Sequence, residues 1–145
     1  MDVIADVHHL PFRNGVFAKV RSSNVLEHSP NPLLFLKEQY RVLLDGGEIE
    51  LTTDNAQNYS WSVLQPGRGG INHPNYCRDH YMIFYPENVL RLMRLAKFKH
   101  AKLTYILRNF TMKGYVVHCL AKLLVYCRIW RKECLYYRFC MGAQK

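Results

Sequence analysis

The chain has 145 residues, 49% of them hydrophobic, and a formal net charge of +9, which suits one domain with its own core and excludes intrinsic disorder. No uncharged apolar run is long enough for a membrane-spanning helix; the most apolar stretch, residues 115–130, is interrupted by His118, Lys122 and Arg128. The five cysteines are odd in number and form no Cys-x-x-Cys pair, so they read as reduced thiols, not as a disulfide or zinc framework.

Residues 2–7 are apolar and β-rich between Asp2 and Asp6, and they predict a strand ending at Asp6. This acidic start does not read as a secretory signal, so the expected location is cytoplasmic. Arg13-Asn14-Gly15 is a turn. Residues 16–22 set Val16, Ala18 and Val20 against Phe17, Lys19 and Arg21. The two cations fit a strand with one face open.

Asn31-Pro32 begins a helix, with Asn31 as N-cap and Pro32 in the first turn. Leu33, Leu36, Tyr40 and Leu43 or Leu44 recur at helical spacing and are expected to face a sheet. Gly46-Gly47 is the expected stop, and residues 48–53 form the next strand. Strand, helix and strand in succession predict a parallel sheet, whose ligands bind beyond the carboxyl ends of the strands. Those ends are polar here: Ser22-Ser23-Asn24 and Thr52-Thr53-Asp54-Asn55.

Residues 54–80 form a long irregular segment, and such segments are often functional. Gly67-Arg68-Gly69-Gly70 neither follows a strand nor opens a helix, so it is read as a flexible turn. Tyr59, Trp61 and Tyr81 are candidates to line an acceptor pocket, with ordinary aromatic packing the preferred reading. Pro86-Glu87 starts a second helix running to about Ala96, with Val89, Leu90, Met93 and Leu95 or Ala96 inward. Residues 102–109 predict a strand with Leu103, Tyr105 and Leu107 on one face.

Residues 113 to about 133 predict an amphipathic helix, with Val116, Leu120, Leu123, Cys127, Trp130 and Cys134 at three-four spacing along its apolar face. Residues 135–141 could close the sheet. Charge concentrates here: residues 1–90 carry a net −3, whereas residues 91–145 carry +12. Such a segment can hold RNA or an anionic membrane surface, although a solvated helix face is the preferred reading.

The residues of the first half together resemble the class I S-adenosylmethionine-dependent methyltransferases, in particular the type 11 group. The resemblance is carried by Asp6, Leu10-Pro11-Phe12, Phe17 and Asn24-Val25-Leu26-Glu27-His28. It continues through Pro32, Phe35-Leu36-Lys37-Glu38, Arg41-Val42-Leu43, Gly46-Gly47 and Thr52-Thr53, and later through His80-Tyr81, Phe84, Pro86-Glu87 and Phe98. It departs at Ala18 (commonly aspartate), Asp45 (often proline) and Lys97 (usually glycine).

The resemblance implies a Rossmann-like α/β sheet with helices on both faces, in strand order 3-2-1-4-5-7-6 with the last strand antiparallel. It places residues 2–6 on the third strand. The expected fold is therefore N-terminally truncated, without the first two strands and the Gly-rich turn. One partial domain is expected, with core elements over residues 1–112 and the basic helix and closing strand over 113–145.

By the same resemblance, the cofactor is S-adenosylmethionine. Asp6 would accept from the adenine amino group, with Val7 at the ring edge. Asn24 and Val25 would line the methionine portion. His28 would face the transferring methyl or cap the following loop, and Glu27 would hold that loop. If the methyl acceptor must lose a proton, His28, His80 and Asp54 are the candidate bases.

No metal site is expected. His8 and His9 would point to opposite faces of a strand, and His73 and His80 lack a cysteine or acidic partner at zinc spacing. Three functions follow. The first is methyl transfer to an unknown acceptor. The second is a non-catalytic, truncated relative acting as a structural or partner-binding subunit. The third is a basic module for RNA or anionic membrane. A sheet edge left exposed at residues 16–22 would favour self-association or a partner subunit.

Overall fold

The computed structural model describes residues 2–57, 80–106, 119, 122–123, 125–126 and 138–145. One sheet contains β1 (Phe17–Ser23), β2 (Leu43–Asp54), β3 (Lys99–Ile106) and β4 (Arg138–Gln144). Around it lie a 3₁₀ turn (Leu26–His28), α1 (Pro32–Val42) and α2 (Pro86–Leu95). The strand order is β1-β2-β4-β3. β1 and β2 are parallel, and β4 runs antiparallel to both its neighbours. This is the order expected for the fourth, fifth, seventh and sixth strands of the Rossmann-like sheet.

Residues 2–6 depart from their expected strand. They are exposed, and their one ladder contact is a bridge from Asp6 to His9. A strand is held by hydrogen bonds to a neighbour, and among the described residues β1 has a neighbour only on its β2 side. Without a second flanking strand, the Ile4 side chain stays in solvent.

α1 starts as its sequence dictates. Asn31 Oδ1 accepts from Leu34 N at 3.0 Å, and Pro32 occupies the first turn, where its missing N–H costs nothing. The helix stops earlier than expected. Leu43 is already extended, and β2 begins before the glycines. Pairing jumps from Phe17↔Leu43 to Lys19↔Glu48, so the glycines lie in a bulge that bends the strand. Gly46 has φ +78°, and a Cβ at Gly47 would sit 2.8 Å from the Leu44 carbonyl oxygen.

Alternation across the pleat sorts the two faces. Ile49 and Leu51 of β2 and Met141 and Ala143 of β4 are buried against Phe35 and Leu36 of α1 and Val89 and Met93 of α2. Full burial of one such large apolar side chain is worth about 1.5–3 kcal/mol. Both helices contribute to this single core.

The opposite face carries Lys19, Arg21, Glu50, His100 and Lys102. The cations of β1 find their partner there: Lys19 Nζ and Arg21 Nε each lie 3.2 Å from Glu50. Most of the expected basic helix lies outside the described residues. Leu123, placed on its apolar face by spacing, is 57% exposed.

A partly buried clamp joins the N-terminal segment to α1. Glu38 Oε1 accepts from Leu10 N at 2.7 Å, and Arg41 donates to Glu38 and to the carbonyl oxygens of Leu10 and Phe12. Arg41 also donates to Asn14 Oδ1. The side-chain hydrogen bond from Arg41 is the main force holding the Glu38 carboxyl below its usual pKa. Thus the Leu10-Pro11-Phe12 block and the helix block of the resemblance meet in space.

Candidate active site

The parallel pair β1 and β2 ends in a polar crevice. Asn24 N donates to Thr52 O at 2.8 Å, continuing the ladder one step beyond β1. Asn24 then turns the chain with φ 55°, a left-handed conformation that asparagine tolerates better than most residues. The chain passes directly into the Leu26–His28 turn. On the β2 side, Thr52, Thr53, Asp54 and Asn55 are all buried.

The buried Asp54 carboxylate has a cationic partner. Arg138, the first residue of β4, lies opposite Asp54 in the antiparallel register, and its Nε donates to Asp54 Oδ1 at 2.9 Å. The Asn24 amide is assigned from its surroundings: with its oxygen placed toward Arg138, it accepts from Nη2 at 2.6 Å and Nη1 at 3.0 Å. One guanidinium therefore joins the carboxyl ends of β1 and β2.

The turn after β1 is clamped to residues 80–84. Glu27 O accepts from Tyr81 N at 2.8 Å and Met82 N at 3.3 Å, and Ala56 N donates to Phe84 O at 3.0 Å. This brings the His28 and His80 rings to 4.5 Å between centroids, edge to face. The Glu27 side chain is buried beside them, with Oε2 accepting from Thr53 Oγ1 at 2.8 Å.

The N-terminal segment reaches the same turn by another route. Asp6 Oδ1 accepts from His8 N at 2.9 Å and meets His8 Nδ1 at 2.8 Å. The other ring nitrogen, Nε2, meets Ser29 Oγ at 2.8 Å. The His8 backbone hydrogen bond, followed by that of its ring, lowers the Asp6 carboxyl to about 2. Both His8 and His9 turn toward Asp6, so the expected opposite-face arrangement fails because these residues form a turn. Val7 is half-buried and packs against the core.

Residues 2–51 match the model of the methyltransferase domain family. A SAM-dependent methyltransferase from Thermotoga maritima aligns with a TM-score of 0.66 and 13% identity over 97% of this chain and 62% of its own. One from Archaeoglobus fulgidus aligns at 0.64 and 15% identity, over 99% of this chain and 66% of its own. The fold is that of the class I methyltransferases. Phosphoethanolamine N-methyltransferase 2 of Haemonchus contortus, solved with S-adenosyl-L-methionine, gives 0.64 and 14% identity over 97% of this chain and 36% of its own. This chain therefore spans less than two thirds of the length of each of these three structures. No curated protein matches it in sequence.

Within this methyltransferase fold, Asn24, Val25, His28, Asp54 and His80 gather at the carboxyl ends of β1 and β2, and Asp6 is tied to Ser29 just beyond them. Tyr81 is 57% exposed and lines a separate groove with Pro32, Met82, Asn88 and Leu95. Tyr59, Trp61 and His73 lie outside the described residues. Sequence reasoning missed Arg138, which looked like one cation among many in a basic segment. Its signal is positional: it opens the strand that pairs with the polar end of β2. Among the described residues, no helix is long and apolar enough to cross a membrane.

Proposed function

We propose that this chain performs S-adenosylmethionine-dependent methyl transfer to an acceptor held at the crevice beyond β1 and β2. The observation that carries this reading is a coincidence of position. The segment that matches the methyltransferase domain, residues 2–51, supplies β1, the turn after it and most of β2, the elements whose carboxyl ends open onto the crevice.

Residues present here suit two parts of the cofactor, its adenine amino group and its methionine portion. Asp6 is 59% exposed, and its Oδ2 faces only His9 Nδ1 at 3.4 Å among the described residues. That leaves an oxygen able to accept from an adenine amino group. Asn24 presents a left-handed backbone at the strand end, where it can line the methionine portion with Val25. When bound, S-adenosylmethionine supplies a methyl group activated by its sulfonium.

The protein's part is positioning, which supplies much of the rate in such reactions. Where the acceptor carries a proton, His28 and His80 are better placed to take it than Asp54. Asp54 Oδ1 is already engaged by Arg138 Nε at 2.9 Å. His28 is half-buried and His80 is buried beside it.

The test is a calorimetric titration with S-adenosylmethionine, repeated on Asp6→Ala. Saturable binding that weakens in the variant supports the reading. No heat and no thermal shift at millimolar cofactor would exclude a functional cofactor site in this chain.

A second reading draws on a separate observation: among the described residues, β1 is an edge of the sheet. Edge strands present unpaired backbone groups that another chain can pair with. This favours a partner-binding or self-associating subunit, and sedimentation over a concentration series distinguishes it from a monomer.

A further inference from the structure

Glu27, His28 and His80 each direct one ligand atom into a common volume, and these atoms lie within 4.8 Å of one another. We infer that they form a binding site for one divalent transition-metal cation at the mouth of the crevice. Ligand atoms of this kind sit about 2.1 Å from such a cation, so any pair is at most about 4.2 Å apart. The observed spacing needs only a small inward movement of the side chains.

A second observation points the same way. Glu27 is 1% exposed, and its Oε1 is buried without a hydrogen-bond partner. Its Oε2 is occupied by Thr53. Burying a carboxylate oxygen with no donor is costly unless a positive charge lies nearby. The unmet oxygen belongs to the same side chain that contributes to the cluster, and a cation there would satisfy it.

The donor set selects the class of cation. Two imidazoles and one carboxylate suit zinc, manganese or ferrous iron, whereas magnesium and calcium favour all-oxygen shells. The scaffold is already arranged. Tyr81 N and Met82 N both donate to Glu27 O, which fixes the residue after His80 against the turn bearing Glu27 and His28. Three protein ligands leave coordination positions open, as in catalytic sites. An acceptor oxygen bound there would lie in the crevice; that role rests on the methyl-transfer reading, whereas cation binding does not.

Sequence spacing could not show this site. Glu27 and His28 are neighbours, which is not a familiar ligand spacing, and His80 arrives from a distant segment. The expectation that the chain has no metal site is therefore replaced by this proposal.

The experiment is a titration of the metal-free chain with Co²⁺, followed by visible absorption and calorimetry. One equivalent is expected to bind, with His28→Ala and His80→Gln each weakening it roughly tenfold or more. His9→Ala should leave it unchanged. Absence of stoichiometric binding would overturn the site, as would binding that survives His28→Ala or depends on His9. Should the ligand variants unfold, histidine ring ¹⁵N shifts of the wild-type chain upon Zn²⁺ addition decide the matter. Shifts at His28 and His80 support the site, and shifts confined to other histidines refute it. Co²⁺ binding without S-adenosylmethionine binding would leave the cation site standing while the methyl-transfer reading fails.

Discussion

Arg138 Nε lies 2.9 Å from Asp54 Oδ1, linking the start of β4 to the end of β2. The Asp54 side chain is 5% exposed and that of Arg138 is 35%. Removing the cation would leave a buried carboxylate, and Asn24, without its partner. Arg138→Met should cost about 2–3 kcal/mol, the lower part of the range for broken buried pairs because Arg138 is partly solvated. Urea unfolding measures this directly. A cycle with Asp54→Asn should show coupling of about 1 kcal/mol or more; additive losses would mean that the pair is not a functional unit.

The Glu38–Arg41 clamp makes a pH-dependent prediction. Its pairing holds the Glu38 carboxyl below its usual value. A depressed folded pKa means that the stabilisation is fully present above the unfolded value, near 4.5, and is lost as pH falls through the folded one. Glu38→Gln should therefore destabilise the chain by about 1–3 kcal/mol at neutral pH. The gap to wild type should close in acid. Unfolding free energies measured from pH 7 down to pH 3 check this, and a gap constant with pH would rule out the ion pair as its source.

Lys97 occupies a left-handed conformation at a position where the methyltransferases that the sequence resembles usually have glycine. Its φ is +74°, and the hydrogen bonds around it, Lys97 N to Arg94 O and Phe98 N to Met93 O, each at 3.0 Å, form a Schellman cap. A side chain in the left-handed region costs roughly 1–2 kcal/mol, partly offset by the greater unfolded-state freedom of glycine. Lys97→Gly should raise stability by about 0.5–1 kcal/mol, while Lys97→Ala should not. Thermal unfolding of the two variants separates backbone relief from loss of charge.

These elements show why some of the structure was legible in the sequence. Asn31-Pro32 announced α1 because capping is local chemistry, and Val89 and Met93 announced the buried face of α2 because periodicity is local too. Lys19 and Arg21 correctly implied an open sheet face. Gly46-Gly47 misled because the same dipeptide serves a helix stop and a β-bulge, and only the pairing with β1 decides between them. Residues 2–6 have a strand's composition, but composition supplies no neighbouring strand. At the crevice, Asn24 and Asp54 were visible as polar strand ends. Arg138, and the meeting of Glu27 with His80, depend on long-range register that no local pattern carries.

Asp6 offers the sharpest connection between local chemistry and the cofactor site. Two donors of His8 converge on its Oδ1, and the carboxyl titrates at about 2. Because the backbone donor is the larger influence, His8→Ala should raise this value only in part; carboxyl ¹³C shifts followed against pH would show it. Asp6 remains ionised at neutral pH in either case, so the variant leaves the charge in place. What it removes is the ring link to Ser29, which anchors the segment beside the turn after β1. His8→Ala should therefore weaken S-adenosylmethionine binding by several-fold through misplacement. His9→Ala removes only a 3.4 Å contact to Oδ2 and should leave binding intact or improve it. If His9→Ala instead abolished binding while His8→Ala did not, Oδ2 would not be the oxygen that receives the adenine.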